Sequence, residues 1–166
     1  MIDIRHVYQT FGDRHILKDV SLSIKEGETM VILGASGSGK STLLKLIIGL
    51  WRPTSGKVLV NGKDMGQLSE EELNEERRSM GMVFQYSALF DSLNVKENVA
   101  FGLRMHTRLS EEKIDAIVKE KLHLVGLDGI EDLMPANLSG GMKKRVSLAR
   151  AIALEPKIIL YDEPTA

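Results

Sequence analysis

Short apolar runs separated by glycine turns dominate the first quarter of the chain and predict β-structure. We expect strands over residues 2–8, 21–24 and 29–33. The third should be covered on both faces, because its apolar run from Met30 to Leu33 is continuous. A helix over residues 41–48 should follow, since apolar positions recur there on one side at helical spacing. These positions are Leu43, Leu44, Ile47 and Ile48.

The rest of the pattern predicts short strands on either side of a mostly helical block. Strands are expected over residues 58–60, 82–84 and 158–161, and Ser69 should begin an acidic helix through a capping box. Within the block of residues 86–137, one helix face is apolar. Its residues are Ile114, Ile117, Val118 and Leu122. Ser139 should cap a further helix, and the last strand should present Asp162 at its carboxyl end.

Composition narrows the class of protein. The 166 residues are 43% hydrophobic, which suits one globular domain with a core. The formal net charge of -1 gives no sign of the excess positive charge that is typical of nucleic-acid-binding proteins. The lack of cysteine excludes disulfides, and no apolar run reaches the roughly 20 residues of a membrane span. We therefore predict a soluble cytoplasmic protein that binds no nucleic acid and does not insert into a membrane directly.

The most specific motif is a glycine-rich loop between the third predicted strand and the first predicted helix. It fits the pattern of a phosphate-binding loop. Its residues are Gly34, Ala35, Ser36, Gly37, Ser38, Gly39, Lys40, Ser41 and Thr42. The N–H groups of such a loop and of the helix that it opens can bind triphosphate oxygens. Lys40 should bridge the β- and γ-phosphates, and the Ser41 hydroxyl should bind Mg²⁺.

Two further groups carry candidate chemistry. Asp162 at the end of a buried strand is costly unless it faces a cation, so we expect it to bind Mg²⁺ through a water. Glu163 is then placed to polarise or deprotonate an attacking water. Ser139, Gly140 and Gly141 predict a second anion site, because a capped helix N-terminus with two glycines exposes its N–H groups.

The phosphate loop, the Leu-Ser-Gly-Gly sequence that ends at Gly141 and the Asp162-Glu163 pair together resemble those of an ATP-binding cassette (ABC) ATPase. The resemblance implies an α/β fold with a P-loop NTPase (RecA-like) core, an N-terminal antiparallel β portion and an inserted α-helical subdomain. Residues 1–84 and 139–166 would form the nucleotide-binding core, and residues 85–138 the helical subdomain. The implied function is an ATP-binding and ATP-hydrolysing transporter subunit, with ATP and Mg²⁺ as cofactors, peripheral at the inner face of the cell membrane.

The resemblance also implies roles for individual residues. Gln85 would contact Mg²⁺ and the attacking water. An aromatic side chain near the N-terminus would stack on the base; Phe11 matches it best, and Tyr8 is a competitor. Residues 139–141 would face the γ-phosphate of ATP held by a second ATPase subunit in a head-to-tail dimer.

The segment around Gln85 resembles one subgroup of the family. Residues 84–95, together with Met142 where many family members have Gln, are similar to ATPases of Mla/Mce-type phospholipid or organic-solvent-tolerance transporters. In the family, the segment after Gln85 docks on a transmembrane permease subunit. We therefore expect this segment to determine partner choice.

The family pattern continues beyond Ala166 into a strand that ends in a histidine. His6, His15, His106 and His123 all precede Asp162, so none of them matches that histidine. We expect a C-terminally truncated cassette with impaired hydrolysis, whose incomplete sheet edge is covered by dimerisation or altered packing.

Three other functions remain open. They are a non-catalytic nucleotide-binding module, a soluble ABC-type ATPase of repair or translation, and a phosphate-loop kinase. The short spacing between Gln85 and Leu138, without heptads, disfavours a repair ATPase. A kinase would not explain residues 139–141 or Glu163.

Overall fold

The computed structural model describes residues 1–162, which group into two compact units. The first unit is Met1–Arg77, and the second begins at Arg78. Among the helices formed by the described residues, none has the length and apolar character needed to cross a membrane.

The first unit is built on an antiparallel sheet with the strand order β2-β1-β3-β4. The strands are β1 (Ile2–Phe11), β2 (Arg14–Ile24), β3 (Ser55–Val60) and β4 (Lys63–Asp64). β1 and β2 form a hairpin that places Phe11 opposite Arg14 at its tip. Both strands extend beyond the expected bounds, because exposed polar residues near the tip also pair across the hairpin.

Two helices belong to this part of the chain, α1 (Lys40–Ile47) and α2 (Glu70–Arg78). α1 buries Leu43, Leu46 and Ile47, close to the apolar face that the sequence predicts. The predicted capping box at the start of α2 is confirmed. Ser69 N–H donates to the Glu72 carboxylate at 2.8 Å, and Glu72 N–H donates to the Ser69 hydroxyl at 3.3 Å.

The expected strand over residues 29–33 is wrong. This segment belongs to neither of the two sheets formed by residues 1–162. Val31 and Leu33 are 73% and 88% exposed. An apolar run records a preference for burial, but a strand also needs a neighbour that satisfies its backbone N–H and C=O groups. No strand of the described residues pairs with this run, so it forms no strand.

The second unit combines a parallel strand pair with helices. β5 (Met80–Val83) lies beside β6 (Ile158–Tyr161), with Val83 opposite Tyr161. β5 is buried throughout, but Leu160 is the single buried position of β6, so the expectation that Asp162 ends a buried strand is wrong. The helices are α3 (Val95–His106), α4 (Glu111–Leu124), a 3-10 turn (Pro135–Asn137) and α5 (Gly140–Ile152).

The helices of the second unit share one core, and side-chain caps at Asn94 and Ser139 mark the starts of α3 and α5. The predicted face of α4 is confirmed: Ile114, Val118 and Leu122 are buried, and Ile117 packs against the same cluster. α5 lies close to β5, because a Cβ added at Gly81 would come within 2.6 Å of the carbonyl oxygen of Ala151. Glycine at position 81 therefore permits this close packing of helix on strand.

Candidate functional site

The phosphate loop passes directly into α1. Gly39 caps the helix in the left-handed region, at φ 97° and ψ 8°. Its carbonyl accepts the N–H of Leu43 at 2.9 Å. A Cβ at Gly39 would lie 2.7 Å from the Leu17 side chain and 3.3 Å from the Ile16 carbonyl oxygen. Glycine is therefore required at position 39 by both conformation and space, and the loop lies against β2.

Lys40 folds back over the loop that precedes it. Its ammonium donates to the carbonyl oxygens of Gly34 at 2.9 Å and Ala35 at 3.1 Å. The first turn of an α-helix directs its N–H groups out of the N-terminal end of the helix. Residues 34–38 are exposed and Ser41 and Thr42 are half-buried. The loop is thus accessible and carries a cationic donor and N–H donors, a combination that can bind a triphosphate.

Gln85 and Asp162 lie at the same edge of the parallel pair. Gln85 follows β5 and Asp162 follows β6, and the N–H of Asp162 donates to the Val83 carbonyl at 3.0 Å. Both side chains are half-buried. The structure therefore brings together two of the three predicted magnesium ligands, on the second unit. The predicted general base, Glu163, lies outside the described residues.

The helix N-terminus at Ser139 forms as predicted. The Ser139 hydroxyl accepts the N–H of Met142 at 3.2 Å and so caps α5. Gly140 and Gly141 are exposed, and a Cβ added to either would meet no atom within 4 Å. Packing within residues 1–162 therefore does not explain these two glycines.

The two candidates for base stacking are both partly exposed. Phe11 is 43% and Tyr8 is 41% exposed, so neither side chain is part of the core. The Phe11 ring meets the Trp51 indole edge-to-face, with ring centroids 4.9 Å apart. Phe11 is the last residue of β1, at the hairpin tip. Two residues of the partner strand β2, Ile16 and Leu17, lie next to Gly39.

Two polar residues that the sequence analysis missed hold the segment of residues 84–94, here called the Gln85 loop. Arg150 on α5 donates to the carbonyls of Ala88 at 2.8 Å and Ser87 at 3.0 Å. Ser87 and Ala88 have φ values of 56° and 48°, a region that costs non-glycine residues energy. The Arg150 guanidinium also lies 5.7 Å from the centroid of the Phe90 ring. Its partial burial lowers the pKa of Arg150.

Asn98 on α3 holds the other end of the Gln85 loop. Its side chain has 0% exposure. Its Oδ1 accepts the N–H of Phe90 at 2.8 Å, and its amide donates to the carbonyls of Phe90 and Leu93 at 3.1 and 2.9 Å. A buried asparagine inside an apolar helix face was the available sequence signal for this role. Arg150 offered none, since its partners lie more than sixty positions away in the chain.

Comparison with known proteins identifies relatives along the whole chain. The sequence model of the family described as ABC transporter matches residues 17–166. The chain is 48% identical over 174 residues to the chloroplastic protein TRIGALACTOSYLDIACYLGLYCEROL 3 of Arabidopsis thaliana, covering 100% of this chain and 50% of that protein. It is 50% identical to the probable ribonucleotide transport ATP-binding protein mkl of Mycobacterium leprae, covering 98% and 47%.

A third relative has a name that concerns phospholipids. The chain is 46% identical to the intermembrane phospholipid transport system ATP-binding protein MlaF of Escherichia coli, covering 99% of this chain and 61% of that protein. The chain thus spans about half the length of the first two relatives and less than two thirds of the third.

Solved structures confirm the predicted α/β fold class. The post-hydrolysis dimer of the ATP-binding cassette MJ0796, bound to ADP and Pi, matches with a TM-score of 0.93 and 39% identity. The match covers 99% of this chain and 75% of that chain. The cbiO1 protein of Clostridium perfringens, part of an ABC transporter complex, matches with a TM-score of 0.87 and 35% identity. That match covers 99% of this chain and 66% of that chain.

Proposed function

The chain belongs to the ABC transporter family, and on that premise we propose that it acts as an ATP-binding and ATP-hydrolysing subunit of a membrane transporter. The observation that carries the proposal is the phosphate loop. Gly39 turns the chain into α1, and Lys40 holds its ammonium over the loop carbonyls. An accessible loop with these donors suits the triphosphate of ATP.

Each proposed site residue has a distinct part. Lys40 and the N–H groups of residues 34–42 bind the phosphates, while the Ser41 hydroxyl, Gln85 and Asp162 hold Mg²⁺. Bound Mg²⁺ would neutralise charge on the phosphate oxygens. Glu163 accepts a proton from the attacking water. The placement of Gln85 and Asp162 at the ends of adjacent parallel strands supports their shared role.

We propose that residues 139–141 bind the γ-phosphate of ATP held by a second copy of the subunit. The open space around Gly140 and Gly141 supports this role, since nothing within the described chain requires glycine there. The N-terminus of α5 supplies N–H donors and the positive end of the helix dipole. The dimeric MJ0796 structure provides a precedent for a pair of cassettes.

The proposed membrane partner is a permease that contacts the Gln85 loop. The loop and the following helix α3 present apolar rings to solvent: Tyr86 of the loop is 84% exposed, and Phe90 of the loop and Phe101 of α3 are 43% and 42% exposed, with their ring centroids 4.7 Å apart. Exposed apolar clusters are typical of interaction sites. Similarity to MlaF favours phospholipid as the transported substrate and a location at the cytoplasmic face of the membrane, held there by the permease.

Calorimetric titration of Mg-ATP into the chain tests the nucleotide site. We expect saturable binding to the wild type and at least a tenfold weaker affinity for Lys40→Ala, since the ammonium would contact two phosphates. Lys57→Ala, an exposed lysine on β3, removes the same charge from the same unit and serves as the control. Equal binding by Lys40→Ala and Lys57→Ala, or no binding by the wild type, would contradict the proposal.

A further inference from the structure

The C-terminal end of α1 is held by an arginine of α2. The Nε of Arg77 donates to the carbonyl of Ile48 at 3.0 Å, and its Nη2 donates to the carbonyl of Gly49 at 2.8 Å. Carbonyls at the end of a helix have no partners within the helix, and they form the negative end of its dipole. The guanidinium therefore supplies both the donors and the positive charge that this helix end favours.

α2 also fixes the guanidinium from its own side. The Nη1 of Arg77 donates to the Asn74 side chain at 3.0 Å and lies 3.4 Å from the Glu70 carboxylate. The Arg77 side chain is 22% exposed, so solvent screens these contacts only in part. Lysine has no planar fork that could reach two carbonyls at once, so arginine is the side chain that suits this position.

An apolar contact joins the same two helices. Leu73 of α2 is 1% exposed, and a Cβ added at Gly49 would lie 2.6 Å from its Cδ2. Gly49 has a φ of 71°, so the turn after α1 requires glycine both for its conformation and for the approach of Leu73. Apart from Leu73, the buried residue of α2 is Glu76. The placement of this acidic helix therefore depends on polar contacts such as those of Arg77.

α1 is short enough for its two ends to depend on each other. Its eight residues make about two turns. Each N–H of an α-helix donates to the carbonyl four residues earlier, so the last turn of α1 supplies the donors for the carbonyls of its first turn. A helix of this length is unstable by itself in water. Contacts at its C-terminal end therefore stabilise the first turn, which contains Lys40 and Ser41.

We propose that Arg77 is a positioning residue for the phosphate site. By holding the carbonyls of Ile48 and Gly49, it keeps α1 wound, so that Lys40 and the first N–H groups of the helix stay arranged for phosphate. Arg77 itself does not touch the nucleotide. Because coupling between two sites is reciprocal, phosphate bound at the first turn also stabilises the last turn. This proposal rests on the proposed ATP-binding function and adds a residue of α2 to it.

Calorimetric titration of Mg-ATP into Arg77→Gln tests the proposal. If about a third to a tenth of the molecules keep α1 fully wound, the dissociation constant rises about threefold to tenfold. Arg77→Lys keeps the charge and one donor group, so its affinity should lie between those of Arg77→Gln and the wild type. Arg5→Gln, at an exposed arginine of β1 that pairs with Asp3, removes the same charge from the same unit and should bind like the wild type.

Hydrogen exchange of the wild type gives a second measurement that needs no variant and that a purely structural role would not affect. The N–H groups of Gly49 and Leu50 donate to the carbonyls of Leu46 and Lys45 at 3.1 and 2.9 Å. Saturating Mg-ATP should slow the exchange of these two amides, although they lie at the far end of α1 from the phosphate loop.

The outcomes separate this proposal from the proposed function. Wild-type affinity in Arg77→Gln, an equal loss in Arg5→Gln, or unchanged exchange of Gly49 and Leu50 at ATP saturation would each overturn the role of Arg77 and leave ATP binding intact. Should Arg77→Gln not fold by far-UV circular dichroism, the exchange measurement decides. Failure of the wild type to bind Mg-ATP would overturn the proposed function together with this inference.

Discussion

The strongest stability prediction concerns Asn98, the buried side chain that holds the end of the Gln85 loop. In Asn98→Ala, the Phe90 N–H loses its acceptor and the Leu93 carbonyl loses a donor, in a region that is partly or fully buried. Each orphaned buried polar group costs about 1–3 kcal/mol. We therefore expect the free energy of unfolding to fall by about 3 kcal/mol, which is a large share of the roughly 5–15 kcal/mol of a typical domain.

Urea unfolding followed by far-UV circular dichroism measures this loss, and hydrogen exchange locates it. Exchange should accelerate in residues 84–98 of Asn98→Ala before other segments of the second unit. Asn137→Ala, at an exposed asparagine of the 3-10 turn, removes the same chemical group and should change stability by less than about 0.5 kcal/mol. Indistinguishable unfolding curves for the two variants would refute the view that Asn98 fixes the loop.

Three further outcomes follow from the described contacts. Gly39→Ala should abolish calorimetric ATP binding, because φ 97° and the nearby Leu17 side chain exclude a Cβ. Ser139→Ala should destabilise α5 by about 1 kcal/mol in urea unfolding, through loss of its cap. Arg104 holds the pKa of Glu111 below its usual value, so this pair stabilises the fold above the ordinary glutamate pKa and less as pH falls through the lowered value. NMR titration of the Glu111 carboxyl should show a higher pKa in Arg104→Gln.

Local signals in the sequence predicted the elements that depend on local contacts. The caps at Ser69 and Ser139 and the apolar face of α4 all involve residues close in the chain. The phosphate loop was predictable for the same reason. Gly39 caps the helix that follows it, and Lys40 donates hydrogen bonds to carbonyls five and six positions earlier in the chain. Sequence periodicity and capping chemistry therefore accounted for most helices of residues 1–162.

The features that sequence reasoning missed depend on distant residues. The apolar run at residues 29–33 has the composition of a strand, but pairing is decided by what lies beside it. Trp51 meets Phe11 across forty positions of chain, and Arg150 meets Ser87 across more than sixty. A single sequence contains no local signal for such contacts.

The way the Gln85 loop is held has a consequence for protein engineering. Its left-handed residues, Ser87 and Ala88, are fixed by Arg150 from α5, and its far end is fixed by Asn98 from α3. The loop and these two side chains therefore form one transplantable unit. A chimaera that exchanges residues 84–94 between relatives would transfer the amino acids of the loop. It would transfer the loop's conformation only where the recipient has arginine and asparagine at the positions of Arg150 and Asn98.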